Sequence, residues 1–413
     1  MTTTDNRRYY GLDALRGSMM LLGIVLHAAG FYISSPPPQM AALPTDRNTS
    51  YLFDLVFHFI HSFRMPLFFV LAGFFASLLV EKRGLWGTYK DRAARILAPL
   101  LVAVVTILPL TALFVVDFMV ATRFGTMELV PDRGSLETIR KEISASGFPA
   151  DEPSIAHLWF LLYLCYFYLL MPFCQFLVHA AEPARPRMGR FLASPEALVF
   201  FGLFTAATLW PFRGGQVHEG FLFLKPHAPS IVYYGSFFVF GYFFHAYRDA
   251  LKNFTRFAPA CTALSAALFP FSLWVSHLEH YAVGEITYYH LAAVVAHGFC
   301  TWTLIYAFTG WALRLFDRES PWILYISQSA YWVYLVHMIF VAIPAWLLAT
   351  YDLPAIVKFA IVLAFATVCC FTTYHYFVQR TWVSRFLHGK RFDLEWPWRD
   401  PATAAAPHPS RQS

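Results

Sequence analysis

Arg16 and His27 lie eleven positions apart in an apolar run that reaches Ile33, long enough to cross a bilayer as a helix. At about 100° per residue the two return to within about 20° of one face, about 16 Å apart along the axis. Ionisable side chains inside a span are costly, so they face a bundle interior or a wet cavity. A neutral imidazole at mid-depth can serve as a general base, and a guanidinium near the membrane surface can orient an anion or offset developing charge. The plain alternative is a snorkelling Arg16 and a His27 satisfied by a neighbouring carbonyl. Asp13, three residues before Arg16, is spaced to hold that arginine in place.

Other groups extend the pattern. Arg64 falls near the middle of a second apolar stretch that runs in the opposite direction, at a height similar to that of His27. His61 and His58 stand one and two turns away on roughly the same face and would line a polar path for a substrate. His58 taken alone also reads as a structural or interfacial histidine. Arg92 and Arg95 are neighbours at the expected start of a third span, where two guanidiniums beside a helix N-terminus would grip a phosphate. Ordinary positive anchoring at a membrane boundary is the competing reading. His157 opens a fourth span beside Trp159, which fits an interfacial aromatic belt. Tyr334 and His337 sit in a ninth span unusually polar for a lipid-facing helix, and His297 lies in an eighth. His277 and His280 lack a third ligand of clear spacing, and the six cysteines lack zinc-like spacing, so no metal is expected.

The elements that must position these groups follow from composition. Of 413 residues, 58% are hydrophobic and only 14% charged, against about 25% charged in soluble domains. The chain therefore reads as an all-α polytopic membrane protein. Ten spans are expected, at about 12–33, 52–80, 92–118, 157–180, 197–212, 230–247, 257–275, 290–313, 323–348 and 355–377. The net charge of +6 comes from loops between spans, so it signals topology and not nucleic-acid binding. Lys82, Arg83, Lys90, Arg92 and Arg95 share one side with Arg185, Arg187, Arg190, Arg248 and Lys252. The positive-inside rule then makes both termini cytoplasmic. Residues 1–390 read as one membrane domain with a retained first helix, and 391–413 as a disordered cytoplasmic tail. Pro66 should bend the second span by freeing a carbonyl one turn earlier.

The Arg16–His27 arrangement, the Arg92-Ala-Ala-Arg95 pair before an apolar helix and the Pro66-to-Gly73 run resemble the integral-membrane acyltransferase family of type three. Within it, the stretch from His58 to Pro66 and the stretch from His157 to Leu161 look most like the glucans biosynthesis protein C group, which modifies osmoregulated periplasmic glucans. The resemblance implies transfer of an acyl group, succinyl or else acetyl, from cytoplasmic acyl-coenzyme A to hydroxyls of a periplasmic glucan at the bacterial inner membrane. It also implies that His27 is catalytic and that the matching arginines are required. A proton-coupled transporter or a glycan flippase is the competing class, but no pair of similarly interrupted spans marks the two halves.

Overall fold

The computed structural model describes residues 8–36, 44–127, 129–145, 154–217, 227–281 and 287–392. The expected tail, the three-proline stretch after Ser35 and the turn before Thr287 fall wholly or mostly outside them. The described residues form helices and no β-sheet. In chain order these are α1 (Tyr10–Gly30), α2 (Tyr51–Arg92), α3 (Ala98–Phe124), α4 (Arg133–Ala145), α5 (Trp159–Leu169), α6 (Met171–Ala180) and α7 (Arg185–Leu192). They continue with α8 (Pro195–Leu209), α9 (Ala228–Ala246), α10 (Leu251–Tyr281), α11 (Thr287–Leu315), α12 (Pro321–Leu348), α13 (Ala355–Thr373) and α14 (Trp382–His388). Among the described residues six helices are long and apolar enough to cross a membrane, or eight if each of two bent pairs is one span.

The bent pairs fall where the sequence expects the fourth and fifth spans. α5 and α6 meet at 47°, with Pro172 in the first turn of α6, where its missing N–H costs nothing. α7 and α8 meet at 95°. α8 alone has 15 residues, about 22 Å of helix against about 30 Å of hydrocarbon. Burial separates an inner layer from an outer one. α1 and α11 bury 67% and 72% of their most apolar stretch, whereas α10 and α13 bury 28% each. α1 therefore runs through the middle of the bundle, packed on α2, α11 and α12. The outer helices turn apolar side chains such as Val105 of α3 outward, as lipid contact requires.

Two backbone details differ from the sequence reading. Helical dihedrals continue through Pro66, and the non-helical residue within α2 is Gly84 (φ 70°, ψ 171°). Pro66 frees the Ser62 carbonyl, as expected of a proline within a helix, and the Thr301 hydroxyl of α11 donates to it at 2.8 Å. After Gly84 the chain runs helically into α3 through a π-turn, Ala93–Leu97. Arg92 and Arg95 thus sit within a continuous helical path, not at a free N-terminus. Their neighbouring amides are spent on helical bonds, and any anion affinity there comes from the guanidiniums alone.

Helix pairs approach closely where side chains vanish. A Cβ on Gly73 of α2 would collide with the Phe238 carbonyl of α9, and one on Gly241 of α9 with the Val70 carbonyl, the small-residue packing that membrane helices use. At the end of the bundle away from the arginines, Lys358 donates to both oxygens of Asp46 at 2.9 Å, and both side chains are buried. Asn48 adds bonds to Asp352 and the Leu353 carbonyl, tying the α1–α2 connection to the α12–α13 turn. Asp46→Ala should destabilise the protein by about 3–5 kcal/mol by leaving a buried ammonium unpaired. The Asp46→Ala/Lys358→Met double variant should recover most of that loss in thermal unfolding of the detergent-solubilised protein.

Candidate active site

The site is built on one stripe of α1. Arg16, Met20, Gly23 and His27 follow at spacings of four, three and four, so all four share a face. At the basic end of the bundle, Asp13 pairs with Arg16 at 3.2 Å, and Arg8 pairs with the same carboxylate at 2.9 Å. Arg16 also donates to Ser327 Oγ of α12 at 3.1 Å and lies 5.4 Å over the Phe75 ring of α2. Asp13 therefore orients the arginine, as its spacing suggested.

A cavity of about 330 Å³ opens at this end. Arg16, Arg92, Arg95 and Tyr168 stand around its mouth, and it narrows to Met20, Phe68, Phe160 and Leu161. Arg92 and Arg95 are not free cations. Asp91, which the sequence reading passed over, accepts from Arg83 at 2.8 Å, Arg92 at 2.6 Å and Arg95 at 3.0 Å. Three guanidiniums on one carboxylate leave the cluster positive but preorganised. Arg95 is further committed by a 2.6 Å bond to the His388 carbonyl. Arg92 lies 5.6 Å over the Tyr168 ring.

Arg64 stands immediately beyond the inner end of the cavity. Its guanidinium lies 5.7 Å over Phe68, a cavity wall, and its Nε donates to the Met19 carbonyl of α1 at 2.9 Å. The residue is 4% exposed, and no carboxylate pairs with it among the described residues. A Cβ on Gly23 would run into an Arg64 terminal nitrogen, so the glycine makes the space that the guanidinium fills. His27, one turn further along the same face, is within electrostatic reach of Arg64, His337, His157 and His61.

His337 and His157 complete this layer. The His27 and His337 rings lie 5.1 Å apart between centroids, and His337 and His157 5.3 Å apart. His337 Nδ1 donates to the Tyr334 and Val333 carbonyls, at 2.7 and 3.1 Å. The proton is therefore on Nδ1, and the bare Nε2 has no partner among the described residues. His157 Nε2 donates to the Leu335 carbonyl at 3.1 Å, and Tyr334 Oη donates to the His157 carbonyl at 2.6 Å. Tyr334 thus positions His157, and Trp159 is a buried residue in edge-on and tilted contact with Phe69, Tyr163 and Tyr234 and not part of a membrane-surface belt.

The remaining histidines form a separate group toward the opposite end. His58 Nδ1 donates to Gln216 Oε1 at 3.1 Å, and His61 Nε2 to the Val217 carbonyl at 2.6 Å. His297 bonds Ser276 Oγ at 2.8 Å. A small cleft beside His61, Pro66, Gln216 and His297 measures about 10 Å³, room for about one water. His58 and His61 are therefore tied to the segment 213–217. His27, His337 and Arg64 stand between this cleft and the larger cavity.

Three signals were in the sequence but went unread: Gly23 on the Arg16–His27 stripe, Asp91 beside the arginine pair and Gly84 seven residues earlier. The choice of His337 over His297 as the neighbour of His27 had no sequence signal, because it depends on how α12 and α11 pack on α1.

Comparison with known proteins agrees with this architecture. The acyltransferase domain family matches residues 9–375. The glucans biosynthesis protein C of Salmonella schwarzengrund (strain CVM19633) is 25% identical over 350 residues, covering 82% of this chain and 83% of that relative. The proteins of the same name from Salmonella heidelberg (strain SL476) and Salmonella typhi match to the same extent. No solved structure matches the chain. With most of its length inside that family model and its helices spanning a bilayer several times over, the chain belongs to the acyltransferase domain family and is a multi-pass membrane enzyme.

Proposed function

We propose that this enzyme moves a succinyl group from cytoplasmic succinyl-coenzyme A to hydroxyls of a periplasmic glucan, across a ten-span domain with both termini in the cytoplasm. The observation that carries the reading is Arg64: a buried guanidinium without a carboxylate partner, set beside His27 at the blind end of a cavity with an arginine-lined mouth. A buried charge is costly unless something pairs with it. A dicarboxylic acyl donor supplies that partner, through its free carboxylate or the oxyanion formed during transfer. The glucan acceptor is carried over from the relatives' printed name.

In this mechanism the coenzyme A phosphates sit against Arg92 and the positive cluster around Asp91, and Arg16 steers the donor inward. His27 takes the proton of the glucan hydroxyl, whose oxygen attacks the thioester carbonyl. The tetrahedral intermediate collapses with cleavage of the carbon–sulfur bond. The leaving thiolate then takes the proton back from His27, so that no net proton is consumed. His337, whose ring centroid lies 5.1 Å from that of His27, helps by offering an unprotonated Nε2 near the newly formed imidazolium. His58 and His61 border the acceptor's approach, beside the segment 213–217 to which both are bonded.

Purified protein given succinyl-coenzyme A and glucan should release free thiol and yield succinylated glucan by mass spectrometry. His27→Ala should reduce release to background while eluting as a folded monodisperse species; full activity in that variant removes the base assignment. Gly23→Ala should push Arg64 off Met19 and Phe68 and lower kcat by about tenfold to a hundredfold. Arg64→Leu should raise KM for succinyl-coenzyme A about tenfold more than KM for acetyl-coenzyme A. Equal losses for both donors would assign Arg64 to the oxyanion alone.

A further inference from the structure

Two polar atoms on the wall of the larger cavity are unaccounted for by the mechanism. Tyr331 Oη and His388 Nε2 are buried and have no hydrogen-bond partner among the described residues. Both side chains line the cavity, and their rings lie 6.2 Å apart. Buried polar groups in folded proteins are nearly always bonded, and these two lie on one cavity wall, where a ligand can supply the partners that the described residues do not.

His388 reaches this wall through the segment that follows the last long helix. The Thr381 hydroxyl caps α14 by accepting from the Val383 amide at 3.2 Å. Gly389 (φ 76°) then reverses the chain, so that Ser384 Oγ donates to the Lys390 carbonyl at 3.0 Å and the Phe392 amide to the Gln379 carbonyl at 3.2 Å. The 2.6 Å bond from Arg95 to the His388 carbonyl latches the turn to the main bundle. A Cβ on Gly389 would collide with that guanidinium, so both the turn and the latch need glycine there. The result carries Leu387, His388 and Phe392 to the cavity.

The chemistry of the two orphans is complementary. Burial, and after it Arg16, Arg95 and Lys390, push the His388 imidazole down to about 4. It is neutral near pH 7 and offers one bare nitrogen, while the Tyr331 phenol offers an O–H. With the imidazole proton on Nδ1, Nε2 accepts, and the two together match a secondary amide, whose carbonyl accepts from the phenol and whose N–H donates to the imidazole. Tyr331 lies one turn beyond Ser327, the partner of Arg16, and one turn short of Tyr334. It therefore stands between the arginine mouth and the inner end at Phe68, the stretch a donor must cross between its phosphates and its thioester.

We propose that Tyr331 and His388 form a subsite for the pantetheine amides of the donor, with the Thr381–Phe392 turn as the fixed wall that presents His388. This rests on the acyl-coenzyme A reading of the cavity. Arg95 then belongs to the wall and not to the phosphate grip.

The test is calorimetric titration of the full-length, detergent-solubilised protein with pantetheine itself, which carries the amides but neither the nucleotide nor the acyl group. Tyr331→Phe and His388→Leu should each weaken binding about threefold to tenfold, and His388→Gln should recover much of the second loss. Unchanged affinity in both variants, or no pantetheine binding by the unmodified protein, overturns the proposal. Thiol release from succinyl-coenzyme A scores the transfer reading separately: pantetheine binding that depends on both residues without thiol release keeps the subsite and sinks the reaction.

Discussion

The interior of this protein is arranged around one buried guanidinium. Arg64 lies in a layer where hydrocarbon surrounds the bundle, and a charge there must be solvated by the protein itself. The Met19 carbonyl takes its Nε, the Phe68 ring takes its face, and Gly23 gives up a side chain to make the space. Among the described residues no carboxylate pairs with Arg64. The missing side chain at Gly23 is what lets α1 approach the guanidinium on α2.

The same accounting governs the histidines. In a bilayer every polar group needs a partner from the protein, and here backbone carbonyls provide it for three of the histidines. His61 is fixed by Val217, His157 by Leu335 and His337 by Val333 and Tyr334. Each such bond also settles which nitrogen carries the proton, because a carbonyl only accepts. His337 is left with a bare nitrogen near His27 because its other nitrogen bonds carbonyls three and four residues back along α12. Where Pro66 leaves a carbonyl without its helical partner, Thr301 of α11 replaces it. The proline therefore opens a bond that ties α2 to α11.

At the basic end the constraint is reversed, with too many like charges in place of too few. Asp91 draws Arg83, Arg92 and Arg95 together, and the π-turn that follows lets Arg92 and Arg95 both line the cavity. π-turns are uncommon and recur at functional sites. Arg95 then couples this cluster to the turn after α14, so the mouth of the cavity joins residues from near both ends of the chain.

Much of this was legible in the sequence. Apolar runs broken by few charges define an all-α membrane bundle, and every expected span coincides with a helical segment. The eleven-residue interval between Arg16 and His27 specifies a shared face because helical periodicity is a local property. So does the pairing of Asp13 with Arg16. Local rules could not decide which distant groups meet. That His337 and not His297 stands against His27, that Arg95 latches His388 across nearly three hundred residues, and that Arg64 finds no carboxylate are outcomes of how α1, α2, α11 and α12 pack. The sequence determined the stripe on α1, and only the tertiary structure decided what faces it, because side-chain partners across helices are chosen by packing and by the need to satisfy each buried polar group.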